Sequence, residues 1–327
     1  MKCYKIALVL TPLTSISSAL SIYDIFIYIN TISNDYKIEI DFLNTEKNDY
    51  YKNSIHIQSI NLFEQKKIYD FIFFPPLQEI NAMHLTPNKH LIHWLKQYSF
   101  QHNTILCASC SNVYTFAYAG LLNYKHATTH WSLEDDFKSK FTDITLDIHK
   151  LIVDENNILT SGGGYSYIDL SFYIINKFIS HELAYKIAKD LVVDMGRISQ
   201  AYFKTLPLQL KHNDQEIEDL LNWIDTNIQR NISVKDLANY LSISQKTLIR
   251  KFKFTTGLLP KNYLMQLKVE KAKYLLVNGN LSFQNITELL GYNNPSTFRQ
   301  LFKKYTSLTP QEYRNKFINL QPRNVAE

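Results

Sequence analysis

The stretch Gly291-Tyr292-Asn293-Asn294-Pro295-Ser296-Thr297-Phe298-Arg299-Gln300-Leu301-Phe302-Lys303-Lys304 decides how the C-terminal third of this chain folds. It predicts a glycine-closed turn, a capped helix start and a short helix with two faces. Phe298, Leu301 and Phe302 recur at helical spacing and form the apolar face, which leaves the basic and amide side chains outside. A helix with a donor-rich outer face fits the major groove of DNA, although an ordinary surface helix with solvated charges shows the same pattern.

The same pattern occurs a second time, fifty residues upstream. At this offset the matching pairs are Leu248 and Phe298, Phe252 and Phe302, Lys253 and Lys303, Leu258 and Leu308, Pro260 and Pro310, and Tyr263 and Tyr313. Further upstream, Leu237 corresponds to Ile286 at an offset of forty-nine, so the second turn is predicted to be one residue longer. Each copy has the spacing of a helix-turn-helix unit, in which a tight turn joins two short helices.

Residues 261–277 predict a helix that joins the two copies. At a rise of about 1.5 Å per residue, its length is roughly 25 Å. Together with the widths of the flanking units, this length suits two recognition helices in successive major grooves, which lie about 34 Å apart.

Positive charge is concentrated in this part of the chain. The whole sequence has 35 basic and 30 acidic residues, a net charge of +5, whereas residues 243–305 have 11 basic and 2 acidic residues, a local charge of +9. This asymmetry favours a polyanionic partner. A membrane surface is the rival partner, but no stretch approaches the roughly 20 apolar residues of a spanning helix, so a cytoplasmic location without membrane contact is expected.

A chain of 327 residues is expected to form two domains. In the N-terminal part, short apolar runs alternate with predicted helices at residues 22–32 and 91–100; the runs occupy residues 6–10, 38–43, 71–74 and 104–107. Near-continuous apolar strands that alternate with helices predict an α/β domain, in which a flavodoxin-like parallel sheet is covered on both faces.

Three cysteines, Cys3, Cys107 and Cys110, form no evident disulfide framework, and no metal or other cofactor is predicted. Cys110 lies where a predicted strand turns into a helix at residues 113–119. This elbow would expose its thiol near a helix N-terminus, where a thiolate is stabilised. A redox pair with Cys107 and a small buried thiol are the alternatives.

Three segments carry a first resemblance: Ser109-Cys110-Ser111-Asn112, then Ala127-Thr128-Thr129-His130-Trp131, and the run that ends in Gly162-Gly163-Gly164. Over about residues 4–200 they resemble the PfpI-like, class I glutamine-amidotransferase-like superfamily, and more narrowly its regulator-fused form. The resemblance implies a domain that senses a ligand or redox state. The candidate pocket residues are Cys110, Asp24 and His130.

Two positions depart from that superfamily. Asn112 stands where members usually carry glycine, and we expect it to tolerate positive φ there. Pro75-Pro76 replace a usual glycine pair. The alternative function is a DNA-tethered cysteine hydrolase or amidase, which would need the Cys110 thiolate beside a positioned base such as His130. We predict a non-enzyme.

The two basic repeats carry the second resemblance. Gly291-Tyr292, the stretch from Phe298 to Lys304 and the following Leu308-Thr309-Pro310 are similar to the AraC/XylS family of transcription regulators, over about residues 214–318. By position, the family's base-facing residues fall on Gln245, Lys246, Ile249, Arg250, Pro295, Ser296, Arg299 and Gln300.

The chemistry of these side chains suggests separate roles. Arg250 and Arg299 can bind guanine bidentately, and Gln245 or Gln300 can bind adenine. Phosphate contacts, which position a protein without specifying sequence, are expected from Lys251, Lys253, Lys303 and Lys304. We expect the first recognition helix to discriminate bases more strongly and the second to act partly as an anchor.

The predicted organisation is a sensory domain at residues 1–205, a linker at 206–213, a DNA-binding domain at 214–318 and a tail at 319–327. The predicted function is sequence-specific regulation of transcription under the control of a small molecule or redox signal. Expected partners are double-stranded DNA, an unidentified effector and a second copy of the chain, with RNA polymerase as a further candidate. A nonspecific nucleic-acid scaffold is the remaining alternative.

Overall fold

The computed structural model describes residues 1–46, 49–52, 54–78, 85–101, 103–206 and 214–318, which divide into two units. The units are Met1–Gln200 and Ala201–Glu327. We predicted that the first domain extends to residue 205, but Tyr202 is buried in the apolar core of the second unit, together with Leu206. The tail and residues 207–213 of the predicted linker lie outside the described residues.

The first unit is built on a sheet that has seven strands among the described residues, in the order β10-β11-β7-β6-β1-β2-β5. The strands of the unit are β1 (Lys2–Leu10), β2 (Tyr36–Asn44), β3 (Tyr50–Lys52), β4 (Ile55–Ile57), β5 (Ile60–Asn61), β6 (Phe71–Phe74), β7 (Ile105–Ser109), β8 (His126–Ala127), β9 (Thr145–Leu146), β10 (Ile152–Glu155) and β11 (Ile158–Ser161). Within the sheet, only the β10–β11 pair is antiparallel among the described strands. The predicted parallel sheet is confirmed.

Helices cover both faces of this sheet. They are α1 (Ile16–Ile27), α2 (Ile29–Ile32), α3 (Lys89–Gln101), α4 (Val113–Tyr118), α5 (Glu134–Lys140), α6 (Ser166–Ile174) and α7 (His181–Asp190). Because successive strand residues face opposite sides, Phe71 and Phe73 pack with α1, α6 and α7, whereas Ile72 and Phe74 pack with α3, α4 and α5. The predicted α/β class with a doubly covered sheet is therefore confirmed.

The described part of the second unit is helical. Its helices are α8 (Gln215–Thr226), α9 (Val234–Tyr240), α10 (Gln245–Thr256), α11 (Pro260–Asn278), α12 (Phe283–Leu289), α13 (Pro295–Thr306) and α14 (Pro310–Phe317). Equivalent residues begin equivalent helices: Ser233 and Ser282 cap α9 and α12 with their side chains, and Pro260 and Pro310 occupy the first positions of α11 and α14. The turn before α13 is one residue longer than the turn before α10, as predicted.

One aromatic pair packs α10 against α11, and an equivalent pair packs α13 against α14. Phe252 of α10 is fully buried, and its ring centroid lies 5.4 Å from that of Tyr263 on α11. Phe302 of α13 is equally buried, with its ring centroid 5.5 Å from that of Tyr313 on α14. The repeat seen in the sequence is thus a repeat of tertiary contacts.

The last residue of both α10 and α13 is a threonine, and the two threonines make equivalent hydrogen bonds. The Thr256 hydroxyl donates to the Phe252 carbonyl at 2.7 Å and accepts from the Leu258 N–H at 3.1 Å. The Thr306 hydroxyl makes the corresponding bonds to the Phe302 carbonyl and the Leu308 N–H, at 2.8 Å and 3.2 Å. In each pair, the first bond runs from a side chain to the carbonyl four residues earlier, and the second gives a partner to an N–H just beyond the helix end.

Gly291 closes the turn between α12 and α13. Its φ is +72°, and a Cβ placed there would lie 2.4 Å from the Gln229 carbonyl oxygen. The neighbouring Arg230 carbonyl accepts a hydrogen bond from the buried Lys268 ammonium group at 3.2 Å. Lys268 also lies 4.9 Å above the Tyr292 ring, so the loop after α8 is held against both α11 and the second turn.

We expect Gly291→Ala to destabilise the second unit by about 2–4 kcal/mol, because it adds both left-handed backbone strain and a steric clash. Ser307→Gly is the matched control, since Ser307 has a φ of +61° and glycine relieves that strain. It should stabilise by at most about 1 kcal/mol. Equilibrium urea unfolding of the full chain, followed by far-ultraviolet circular dichroism, measures both. Equal effects of the two substitutions would contradict this assignment.

Candidate nucleic-acid interface

The outer face of α10 carries exposed polar and basic side chains above a buried apolar face. Leu248 and Phe252 are fully buried. On the opposite side, the exposed residues include Gln245, Lys246, Ile249, Arg250 and Lys253. Their spacing places all five along one side of the helix. Four of them are the positions that the family resemblance assigns to base contact. Lys253 lies two turns beyond Lys246 on the same side.

The outer face of α13 repeats this arrangement with different chemistry. Its exposed residues include Ser296, Arg299, Gln300, Lys303 and Lys304, whereas Pro295 is half-buried at the first helical position. The Arg299 guanidinium carbon lies 5.5 Å above the ring of Phe283 on α12. This cation–π contact holds the guanidinium group against α12.

Lys251, one of the predicted phosphate contacts, forms ion pairs within the protein. Its ammonium group forms ion pairs with Glu216 and with Asp214, the latter at 3.3 Å. The hydrogen bond with Glu216 raises the pKa of Lys251. Lys251 therefore ties α10 to the N-terminus of α8. Among the described residues, Arg250 forms no ion pair and no side-chain hydrogen bond, so its guanidinium group is available to a ligand.

The first α/β unit also contains predicted site residues, of which Cys110 is the central one. The strand-to-helix elbow is present, with a φ of +57° at Cys110. The thiol is buried at 2% exposure, however, and burial raises the pKa of Cys110 despite backbone hydrogen bonds from Gly164 and Ser111. The expectation of an exposed, thiolate-stabilising elbow was wrong, because the loop and side chains around the sulfur exclude water. Cys107 is likewise buried, with its pKa raised by burial.

Asn112 has a different role from the one we expected. Its φ is −71°, an ordinary helical value, so it replaces glycine without adopting positive φ. Its side-chain amide donates to the Pro75 carbonyl at 2.8 Å, and its side-chain oxygen accepts from the Thr115 hydroxyl at 2.7 Å. Asn112 therefore connects the elbow to the Pro75-Pro76 loop.

The contacts of His130 are unfavourable for a catalytic base. Its Nδ1 accepts a hydrogen bond from the Ser132 N–H at 3.1 Å, which places the proton of the neutral ring on Nε2. Burial lowers the pKa of His130 to about 4. Its ring also lies against Gly163, where an added Cβ would be 2.0 Å from Cδ2. At neutral pH the unprotonated nitrogen that a thiol base requires is already occupied.

An open cavity of the first unit lies elsewhere. A cavity of about 270 Å³ is lined by residues 11–13, 45–46 and 85–88, and by Asn112 and Thr115 among others. Neither Cys110 nor His130 is among its lining residues, and Asp24 is exposed on α1. Sequence reasoning missed this cavity because its lining comes from loops that lack any motif. The sequence signal that could have revealed the cavity is the place of these segments along the chain, since each of them follows the carboxyl end of a parallel strand.

Comparison with known families decides the identity of the helical unit. A family model described as a helix-turn-helix domain matches residues 237–316, which include both repeats. The C-terminal unit is an AraC-type helix-turn-helix domain. This domain accounts for both α9–α10 and α12–α13, and it confirms the resemblance on which the predicted base-facing positions rest.

Curated relatives of the chain extend beyond the helix-turn-helix domain. The HTH-type transcriptional regulator ArgR of Pseudomonas aeruginosa is 25% identical over 210 residues, covering 64% of this chain and 63% of the relative. The regulator CdhR of the same species is 24% identical over 268 residues, covering 80% and 77%. The match to ArgR spans less than two thirds of that relative's length. An alignment of 268 residues is longer than either unit, so the similarity includes parts of both.

A solved structure has the same fold in the first unit. A Vibrio parahaemolyticus protein, provisionally assigned as a transcriptional regulator, aligns with a TM-score of 0.51 and 14% identity, covering 58% of this chain and all of that one. This share exceeds the length of the helix-turn-helix unit, so the α/β unit is included. Within the described residues, no helix has the length and apolar character needed to cross a membrane.

We expect Cys110 to resist alkylation in the folded protein, because its thiol is buried and its pKa is raised. Cys3 is exposed and provides an internal control. Brief treatment with iodoacetamide near pH 8, followed by peptide mass spectrometry, should label Cys3 and leave Cys110 largely unmodified. Labelling in urea should reach all three cysteines. If Cys110 reacts as fast as Cys3 in the native protein, it is a reactive thiol and the redox alternative returns.

Proposed function

We propose that this chain is a cytoplasmic transcription regulator that binds double-stranded DNA with sequence specificity. The observation that carries the proposal is the pair of equivalent outer faces on α10 and α13, which expose base-reading and basic side chains above buried Leu248, Phe252, Phe298 and Phe302. Relatives named as transcriptional regulators support it, although the matches to the first of them span less than two thirds of their length.

The length of α11 supports binding to successive major grooves. Helix α11 joins the two helix-turn-helix units and has 19 residues, which corresponds to a length of about 28 Å. Successive turns of the major groove are about 34 Å apart. Since α11 packs against α10, α12, α13 and α14, it holds both recognition helices on one scaffold.

Within this proposal the side chains have separate roles. Arg250 and Arg299 read guanine, and Gln245 and Gln300 read adenine, since these pairings have bidentate geometry. Lys253, Lys303 and Lys304 contact phosphates. The remaining predicted base-facing residues, Lys246, Ile249, Pro295 and Ser296, shape the surface between them. Lys251 keeps its ion pairs with α8 and stabilises the position of α10.

The α/β unit is proposed to respond to an effector and to provide a homodimer contact, and the bound regulator to act on RNA polymerase. Its chemistry disfavours the hydrolase alternative. The Cys110 thiol is protonated at neutral pH, the His130 acceptor nitrogen is occupied, and Pro75 and Pro76 have no N–H to stabilise an oxyanion.

We expect Arg250→Ala to weaken binding to a site selected from random DNA by about 1–3 kcal/mol, or roughly 5-fold to 150-fold, because a bidentate base contact is lost. Binding to random DNA at the same salt concentration should change much less. Arg230→Ala is a matched control, since Arg230 is also exposed but lies outside α10 and α13. Fluorescence anisotropy at fixed salt measures the affinities. No difference between Arg250→Ala and Arg230→Ala would refute the base-contact assignment.

We expect Lys303→Ala to behave differently from Arg250→Ala, because a phosphate contact carries no sequence information. It should weaken binding to the selected site and to random DNA by similar factors, and it should lower the slope of log affinity against log salt by about 1. Salt titrations with both DNA molecules provide the measurement. Equal wild-type affinity for selected and random DNA would instead indicate the nonspecific scaffold.

A further inference from the structure

The 270 Å³ cavity extends across the carboxyl edge of the sheet. Its lining segments follow β7, β6, β1 and β2, which are neighbours in that order. With about 4.8 Å between strands, the two outer strands are roughly 14 Å apart. The strand order reverses between β1 and β6, and open α/β sheets bind ligands beyond the carboxyl ends at such a reversal. The cavity therefore has the position of a ligand site and an elongated outline.

The end of the cavity next to α4 is polar and uncharged. Asn112 and Thr115 line it and are at most 3% exposed. Within the described chain, the Asn112 side chain donates once, to the Pro75 carbonyl, and accepts once, from the Thr115 hydroxyl. One amide hydrogen of Asn112 and the lone pairs of the Thr115 oxygen remain available. This end can bind a neutral group that both donates and accepts hydrogen bonds.

The segments that follow β1 and β6 line the middle of the cavity with apolar side chains, beside the polar Thr11, Thr86 and Asn88. Leu85 and Leu91, which are 3% and 2% exposed, contribute to this part together with Pro12 and Leu77. The loop that carries Pro12 is fixed by Lys52, whose ammonium group donates to the carbonyls of Pro12 and Thr14 at 3.1 Å and 2.8 Å. An alkyl segment of a ligand would replace water against these side chains.

The end of the cavity next to β2 carries a negative charge. Glu46 is the one ionisable side chain among the described residues that line the cavity, and it forms no ion pair within the described chain. Its backbone is held from both sides, because its N–H donates to Asn44 and its carbonyl accepts from Asn61. A carboxylate in this position favours a cation and disfavours an anion.

We propose that this cavity binds an elongated small molecule with one cationic group, an apolar middle and a neutral hydrogen-bonding group at the other end. The volume is just below the range of about 300–1,000 Å³ that is usual for drug-sized ligands, so it suits a metabolite. We assign this molecule as the effector, and that assignment rests on the proposed regulatory function. The proposal that the cavity binds such a molecule is independent of the regulatory function.

Three linear probes test the charge preference on the full chain by isothermal titration calorimetry. They are 6-aminohexanamide, its neutral isostere 6-hydroxyhexanamide, and the anionic monoamide of adipic acid. The amine should bind at least about tenfold more tightly than the alcohol, and the anion should bind least. Glu46→Gln should abolish the difference between amine and alcohol, and because Glu46 is exposed it should leave the melting temperature unchanged. Asp24→Asn and Cys110→Ser are controls, since neither residue lines the cavity, and both should retain the wild-type preference.

The proposal is overturned if none of the probes binds at millimolar concentration, if amine and alcohol bind the wild type equally, or if Glu46→Gln keeps the preference. Affinity for the selected DNA site with and without bound amine then tests the effector role. An unchanged affinity contradicts only that role. Loss of specific DNA binding in Arg250→Ala concerns the proposed function and leaves the cavity assignment unaffected.

Discussion

The repeated contact between a phenylalanine of α10 or α13 and a tyrosine of the following helix is the constraint on which the second unit depends. Phe252 packs on Tyr263 and Phe302 on Tyr313, and both phenylalanines are fully buried. Burial of such a ring contributes about 1.5–3 kcal/mol, and truncation to alanine in a core costs about 3–5 kcal/mol. Because these rings occupy the inner faces of α10 and α13, the basic and amide side chains must lie on the outer faces. The core packing and the proposed DNA recognition therefore use opposite sides of the same two helices.

In the α/β unit, burial decides which chemistry is available. The Cys110 elbow has the backbone conformation of a nucleophile, yet its thiol lies away from water and has a raised pKa. His130 uses Nδ1 to cap the short helical turn at residues 131–133, so its accepting nitrogen has a structural role. Polar side chains line the cavity instead, among them the exposed Glu46 and the buried Asn112. The unit thus combines a buried elbow thiol with an open cavity at the same edge of the sheet.

Much of the fold was predictable because its signals are local. Apolar runs predicted β1, β2, β6 and β7, and the offset of fifty predicted the two helix-turn-helix units and the longer second turn. The close approach of Gly291 to the Gln229 carbonyl was missed, since steric contacts between distant segments leave no periodic pattern. The local hydrogen bonds of Thr256 and Thr306 were missed as well, although the two threonines also recur at the offset of fifty. The exposure of Cys110 was misjudged for the same reason, because its thiol is covered in part by Gly164, which lies 54 positions further along the chain. The two units divide after Gln200, five residues before the predicted boundary at residue 205, and the packing of Tyr202 with the second unit is likewise non-local.

The central claim is that α11 holds two recognition helices at the spacing of successive major grooves. Cleavage protection first defines the two DNA segments that α10 and α13 cover in the selected site. The most direct test then compares the affinity of the full chain for this site with its affinity for the same site carrying five extra base pairs between the two segments. Five base pairs turn one segment by about half a helical turn relative to the other. The account predicts that the insertion lowers the affinity to that of a site with one segment replaced by random sequence. An affinity unchanged by the insertion would contradict it.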